Sequence, residues 1–334
     1  MNVARPGGLP ALLLTAAAAS AAAAGLFGPV ETAASASGGS SAKALRIRAP
    51  DLTTPLTERY PDPSRPADPV KAAVLTRING DRAAFHLPPV SWDEAAARVG
   101  DAFCAKQVAE KSRGHFLMDG VPPYARTGFA GIFGVQAENS ASWITTGPRF
   151  TESTVSLALE AEEQMLQEKP PADGHRRTIL NPDLTHVGVG YAISRGRFQM
   201  SQEFLTRRFE QLTLAAPGPI PAAISISGRT AGGSRFDFVT IAREGAPRTL
   251  SRDEATARTS YSYPHAKLAW VAEGNRAFQI VGLLTEDRVR IHSPHEFSFT
   301  YVPDRPGLYT FVLYVSGTGR EASKPGGGAT VWVE

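Results

Sequence analysis

The sequence predicts an α+β chain, a half that mixes helices with strands followed by an all-β half, and three observations carry that reading. Apolar residues recur at helical spacing between Asp68 and Glu168. Two runs, HVGVGYAIS and GRFQMSQEF, then form a hairpin across a tight Ser-Arg-Gly-Arg turn. Beyond residue 220 come about seven short alternating runs, AAISISG, RFDFVTIA, AKLAWVA, AFQIVGLL, FSFTYVP, LYTFVLYVS and ATVWVE, spaced as in a β-sandwich.

With 334 residues, 42% of them hydrophobic and 20% charged, the chain is long enough for two domains with cores of their own. A net charge of +3 without a dense Lys/Arg run argues against a nucleic-acid partner. The N-terminus, MNVARPGG followed by PALLLTAAAASAAAAG, reads as a signal peptide over residues 1–25. Its apolar part is too weak to hold a membrane anchor, so no integral membrane protein is expected. Residues 26–66 are rich in Ala, Ser, Gly, Thr and Pro and read as a disordered linker. Cys104 is the only cysteine, which rules out an intrachain disulfide, and its helical spacing from Gly100 and Val108 marks a small buried hydrophobe.

Asp68 is placed to cap a first helix with Pro69 at its first position, and Val70, Ala73, Val74 and Ile78 share one face of it up to about Phe85. Ser91 and Glu94 have capping-box spacing for a second helix, with Ala95, Val99, Phe103, Ala105 and Val108 as its buried side. Lys111-Ser-Arg-Gly ends that helix. Two Pro and several Gly between Phe116 and Gln136 predict a long irregular loop. A third helix, STVSLALEAEEQMLQE, buries Val155, Leu159 and Leu166 and keeps Glu162 and Glu163 near water until Lys169-Pro-Pro stops it. The first domain is thereby set at 67–212, a stiff Pro-rich linker at 213–219, and the β-sandwich at 220–334.

His115 and Glu138 flank the long loop, while Glu168 ends a helix and His175 follows a Pro-Pro-Ala-Asp-Gly break. Side chains at element ends commonly face a cleft. Two neutral imidazoles with carboxylates nearby suit a divalent metal, the carboxylates serving either as ligands or as holders of the imidazole tautomer. There is no local His-Glu-x-x-His to strengthen that reading. The plain alternative has both His bonded to backbone carbonyls and Glu138 capping a turn. Ser140 or Ser142 would complete a Ser-His-Glu hydrolase on paper, but no Gly-x-Ser-x-Gly elbow accompanies them. Arg126 and Arg176 read as structural ion-pair partners, Asn79 and Arg82 as ties from the first helix to neighbouring backbone, and His292-Ser-Pro-His295 as an exposed turn.

Taken in order, Asn79-Gly-Asp-Arg82, Trp92-Asp93, His115, Asp119-Gly120, Arg126, Glu138-Asn139, Gly174-His175-Arg176, Ile179-Leu-Asn-Pro182 and Val187-Gly-Val-Gly190 resemble the CAP superfamily. This is the family of cysteine-rich secretory, antigen 5 and pathogenesis-related proteins, and the likeness is to its bacterial branch over about residues 68–206. The resemblance implies a CAP-type α-β-α sandwich, an extracellular setting, and an open cleft into which His115, Glu138, Glu168 and His175 converge. Ala137 stands where the family usually has Gly, and the Pro-Pro insertion before His175 is long for the bacterial pattern. Downstream, Pro306-Gly-Leu-Tyr309 resembles the turn and strand of an immunoglobulin-like sandwich whose Tyr bonds back to the preceding corner.

The resulting expectation is a secreted protein whose cleft takes a small ligand, lipid-like ones included, or a cell-surface component. Zinc or another divalent metal would sit on His115 and His175 with Glu138 or Glu168 beside it, and the β-sandwich would be an accessory interaction domain. A metal-assisted hydrolase with Glu138 or Glu168 as general base, and a structural surface protein, are the alternatives.

Overall fold

The computed structural model describes residues 56–59, 65–147, 149–215, 223–274, 280–317 and 322–334. The expected signal peptide and most of the 26–66 linker lie outside them. Within that linker, however, Leu56–Arg59 forms a strand, β1.

Asp68 caps helix α1 (Pro69–Ala84) by accepting the N–H groups of Val70 and Lys71, as expected. The next helix, α2 (Glu94–Glu110), is capped by Asp93 rather than by Ser91. Ser91–Trp92 is instead a short strand, β2, so the Ser91 N–H is spent on the Thr185 carbonyl and the Glu94 carboxylate on the Trp92 indole. Inside the expected irregular loop the Pro122-Pro123 pair starts a short helix, α3 (Pro123–Phe129), since proline is suited to a first helical position where no N–H is needed.

Strand β3 (Val135–Ile144), helices α4 (Thr154–Leu166) and α5 (Gly174–Ile179), and the expected hairpin of β4 (His186–Ser194) and β5 (Arg197–Thr206) complete this half. The sheet order is β2-β4-β5-β3, with β2 parallel to β4 and the other pairs antiparallel. Alternation along β4 sorts the layers. Val187 and Val189 enter the core shared with α1 and α4, whereas Gly188 and Gly190 face α2. A Cβ on Gly190 would lie 2.0 Å from the Gly100 carbonyl carbon, so helix and sheet meet backbone to backbone. That contact selects the small side of α2, namely Ala96, Ala97, Gly100, Cys104 and Gln107 with Phe103, and not the Ala95/Val99/Val108 side inferred from hydrophobicity. Cys104 is buried with its thiol toward the Gly190 carbonyl.

The β-rich half is one nine-stranded curled sheet, ordered β1-β6-β7-β11-β10-β9-β8-β12-β13. Its further strands are β6 (Phe209–Ala215), β7 (Ile224–Thr230), β8 (Arg235–Glu244), β9 (Leu268–Ala272), β10 (Leu284–Ser293), β11 (Glu296–Tyr301), β12 (Gly307–Ser316) and β13 (Lys324–Val333), and a short helix, α6 (Arg252–Ala257), lies between β8 and β9. β10 joins its two parts, first parallel to β9 and then antiparallel to β11. The parts fold over a single core in which Phe209, Leu212 and Phe297 meet Phe236, Phe311 and Val315, and the Phe236 and Phe297 rings stack at 4.3 Å. Tyr309 donates to the Arg305 carbonyl at 2.7 Å, the corner bond expected of it.

Two strand expectations change. AFQIVGLL does not supply a strand over its described residues before Leu284, and Val281 is fully exposed. The strand is the charged run LTEDRVRIHS, of which only Val289 is buried. Residues 209–212, assigned above to the first domain, and 213–215, assigned to the linker, form the strand β6, bonded to β1 and β7. Among the described residues no helix is long and apolar enough to cross a membrane.

Candidate functional site

Strand β3 is an edge of the four-stranded sheet, and its successive residues place chemistry on both faces. Glu138 lies opposite Glu203, whose Cγ approaches Gly100, so it points to the α2 side. Asn139 points the other way. It donates to the Gln202 side chain and to the His175 carbonyl, and Gln202 in turn donates to Glu162 of α4.

On the α2 side, the Nδ1–H of His115 donates to Glu138 Oε1 at 2.7 Å and Arg126 donates to Glu138 Oε2. Both side chains of the His115–Glu138 pair are fully buried. Arg126 also holds the His115 carbonyl at 2.9 Å and lies over the Phe103 ring. It is therefore the ion-pair partner the sequence suggested. Burial pushes the Glu138 carboxyl up, while Arg126 and a hydrogen bond from Glu203 pull it back. Burial, and then the neighbouring Glu138, raise Glu203 to about 8, so near neutral pH Glu203 holds a proton. Nothing in the sequence reading singled out Glu203; its signal was its register, a glutamate on a strand hydrogen-bonded on both sides and directly across from Glu138.

The β-rich half closes this side. The Tyr261 hydroxyl accepts the Glu138 N–H at 2.6 Å and the Tyr263 hydroxyl accepts the Gln136 N–H at 2.6 Å, so two side chains satisfy the free edge of β3. Tyr261 also donates to the Gln136 side chain and sets its ring edge-on to His115 at 5.0 Å. Tyr124 of α3 stacks on Tyr263 at 4.7 Å and donates to Glu244 of β8. The segment after α2 is bound to the same half through Leu250 N–H to the Met118 carbonyl and Gly134 N–H to the Gly328 carbonyl. Gly128 of α3 has no room for a side chain, since a Cβ there would lie 2.4 Å from the Thr330 carbonyl oxygen. The open cleft implied by the family resemblance is thus closed at His115 and Glu138 by the chain itself. None of these tyrosines carries a motif, and only the fold brings residue 261 to residue 138.

On the other side, Glu168 follows the end of α4 and His175 lies in the first turn of α5. The Nδ1–H of His175 donates to Glu168 Oε1 at 2.5 Å and its backbone N–H donates to Oε2 at 2.9 Å. The His175 side chain is buried, Glu168 is 5% exposed, and among the described residues His175 Nε2 has no hydrogen-bond partner. Among the described residues Arg176 makes no ion pair; it donates to the Leu166 carbonyl and so caps α4. Glu162, expected near water, is buried and raised to about 8 by that burial.

The four predicted residues are therefore arranged as two His–Glu pairs. Among the described residues no group of three or more His, Cys, Asp and Glu side chains stands close enough to hold a metal ion. Both Nδ1 atoms are engaged by carboxylates, and Arg126 fixes a positive charge on Glu138 where a cation would need it free. What the expected zinc site on His115 and His175 could offer is therefore limited to Nε2 of each ring, with the carboxylates holding the rings and not serving as ligands. The remaining residues keep local roles: Ser142 accepts from Gln199, His292 bonds Ser298 across the β10–β11 turn, and Asn79 and Arg82 tie α1 to the carbonyls of Val90, Pro88, Ile179 and Asn181.

Residues 75–206 match the family model of the cysteine-rich secretory protein family, CAP. An uncharacterized protein of Bacillus subtilis (strain 168), YkwD, is 28% identical over 123 residues, which cover 36% of this chain and 42% of that protein. Among solved structures, an extracellular protein containing an SCP domain from Bacillus anthracis is 20% identical over 42% of this chain and 45% of its own, with a TM-score of 0.33. An outer surface protein of Borrelia burgdorferi is 16% identical over 42% of this chain and 94% of its own, also with a TM-score of 0.33. The chain spans less than half the length of the two Bacillus relatives. With the ordered motifs from Asn79 to Gly190 lying almost wholly inside the matched stretch, residues 75–206 are a domain of the cysteine-rich secretory protein family, CAP.

Proposed function

We propose that this is an exported binding protein whose ligand meets the His175–Glu168 side, with the β-rich half acting as a fixed wall of the binding body rather than a detachable accessory. The observation that carries the reading is the buried His175 Nε2 with no partner among the described residues, set against carboxylates whose oxygens are all engaged. With Nδ1–H given to Glu168, the neutral ring keeps a lone pair on Nε2, so the complementary ligand group is an N–H or O–H donor. Export is supported by the signal-peptide character of residues 1–25.

A hydrolase would need one of the two glutamates as a base with a free oxygen. Each Glu138 oxygen already accepts from His115 or Arg126, and each Glu168 oxygen from His175, which disfavours that alternative. The test combines zinc titration with turnover of a broad peptide and ester library by wild type, His115→Ala, His175→Ala and Glu138→Gln. The expected result is no turnover and no zinc affinity shared between the two histidines. Tight zinc binding lost in both histidine variants, or turnover that collapses in Glu138→Gln, would replace the binding reading with the metal or hydrolase one.

A further inference from the structure

We propose that the groove between the C-terminal end of α2 and the β4–β5 hairpin binds an amphiphilic anion, a carboxylate or phosphate head on a short apolar body. Its volume is about 690 Å³, and its lining includes apolar Val108, Ala109 and Ile193 together with cationic Lys111, Arg195 and Arg197. That size lies within the roughly 300–1,000 Å³ typical of small-molecule sites. The three cations make no ion pair or side-chain hydrogen bond among the described residues, whereas Arg77, Arg126, Arg207 and Arg208 all hold carboxylates. Glu110, next to Lys111 in the chain, turns Oε2 to the Met118 N–H. A head group of negative charge and an apolar tail satisfies both parts of this lining, and neither a neutral hydrocarbon nor a bare anion does.

Backbone conformation supplies a second, independent argument. Lys111 has φ 56° and Arg195 has φ 47°, two of the three non-glycine residues with positive φ among those described, and both line this one groove. Lys111 ends α2, and Arg195 turns the hairpin beside Gly196, two positions at which glycine is the unstrained choice. Charged side chains held in the left-handed region mark a site where the side chain is used.

The inference is independent of the His175 reading. Calorimetric titration of the full chain with monomeric decanoate and decyl phosphate makes the test, with decanol and inorganic phosphate as the tail-only and head-only probes. Both amphiphilic anions should bind, with decanol and phosphate at least tenfold weaker. The double variant Lys111→Gly/Arg195→Gly should lose at least tenfold in affinity while its melting temperature holds or rises, because glycine relieves the backbone. Lys111→Gln/Arg195→Gln, which leaves the strain in place, should lose the same affinity and carries the test if the glycine pair folds poorly. His175→Ala should bind like wild type. No binding of either amphiphile, equal binding of inorganic phosphate, or unchanged binding in both double variants would overturn the proposal.

Discussion

His115–Glu138 and His175–Glu168 are the same chemical pair, an imidazole Nδ1–H on a buried carboxylate, yet their surroundings differ in kind. The first is locked: Arg126 neutralises Glu138, Glu203 keeps its proton beside it, and Tyr261 from the β-rich half covers the imidazole. Among the described residues the second has neither a guanidinium nor a tyrosine on its carboxylate, and it leaves one ring nitrogen unpartnered. A His–Glu pair is thus a device for fixing a ring. What the ring then does depends on whether the surrounding chain consumes its other face.

The comparison predicts unequal responses to breaking each pair. Arg126→Met leaves Glu138 buried without its guanidinium partner and should destabilise the chain by about 3–5 kcal/mol. Glu168→Gln, at the more open pair, keeps one acceptor for His175 and should cost about 1–2 kcal/mol. Urea denaturation of both variants measures the difference, and equal losses would erase the distinction between locked and open halves.

Tyr261→Phe probes the lock from the other side of the molecule. It removes the acceptor of the Glu138 N–H and the donor to Gln136 while keeping the ring against His115. A loss of about 1–3 kcal/mol is expected from the orphaned buried groups. A neutral result would mean that water enters and that the edge of β3 is less sealed than its geometry requires.

The pH dependence sharpens the comparison further. Glu203 and Glu162 titrate near 8 in the folded chain and near the ordinary glutamate value of about 4.3 when unfolded. Between those values the folded state holds more protons, so stability falls as pH rises through this window. His186 acts in the opposite sense lower down: burial lowers it to about 4, so acidification from its unfolded value of about 6.5 favours unfolding. Glu203→Gln and Glu162→Gln should each flatten the loss between pH 6 and 8 in a series of thermal melts, and an unchanged slope in both would show that neither carboxyl is held neutral.

Much of the CAP half was legible because its signals are local. Asp68-Pro69 caps a helix by its own side chain, the Ser-Arg-Gly-Arg turn needs only itself to pair β4 with β5, and the ordered motifs named the four residues that the fold sorts into two His–Glu pairs and not one tetrad. Three kinds of feature were hidden. Periodicity favoured Val99 and Val108 over Gly100, because it scores hydrophobicity and not how closely two backbones approach. The closing of the site was hidden because the contact from Tyr261 to Glu138 spans more than a hundred residues and exists only where the β-rich half packs on the CAP half. Strand β10 escaped for a third reason, since a strand with one buried residue carries no alternation to read.

The place of β6 has a practical consequence. β6 follows β5 after only Arg207 and Arg208, and Arg207 itself is bound to Asp93 and to the Phe133 carbonyl inside the CAP half. Severing the backbone between Ala215 and Ile224 would therefore not release two beads from a string. Each fragment would carry complementary strands of one sheet, β1 and β6 on the first and β7 on the second, and the second would also carry the two tyrosines that the first lacks. Co-expressed, such fragments should reassemble as a split protein does, which makes this junction a natural place to divide the chain into a two-part reporter.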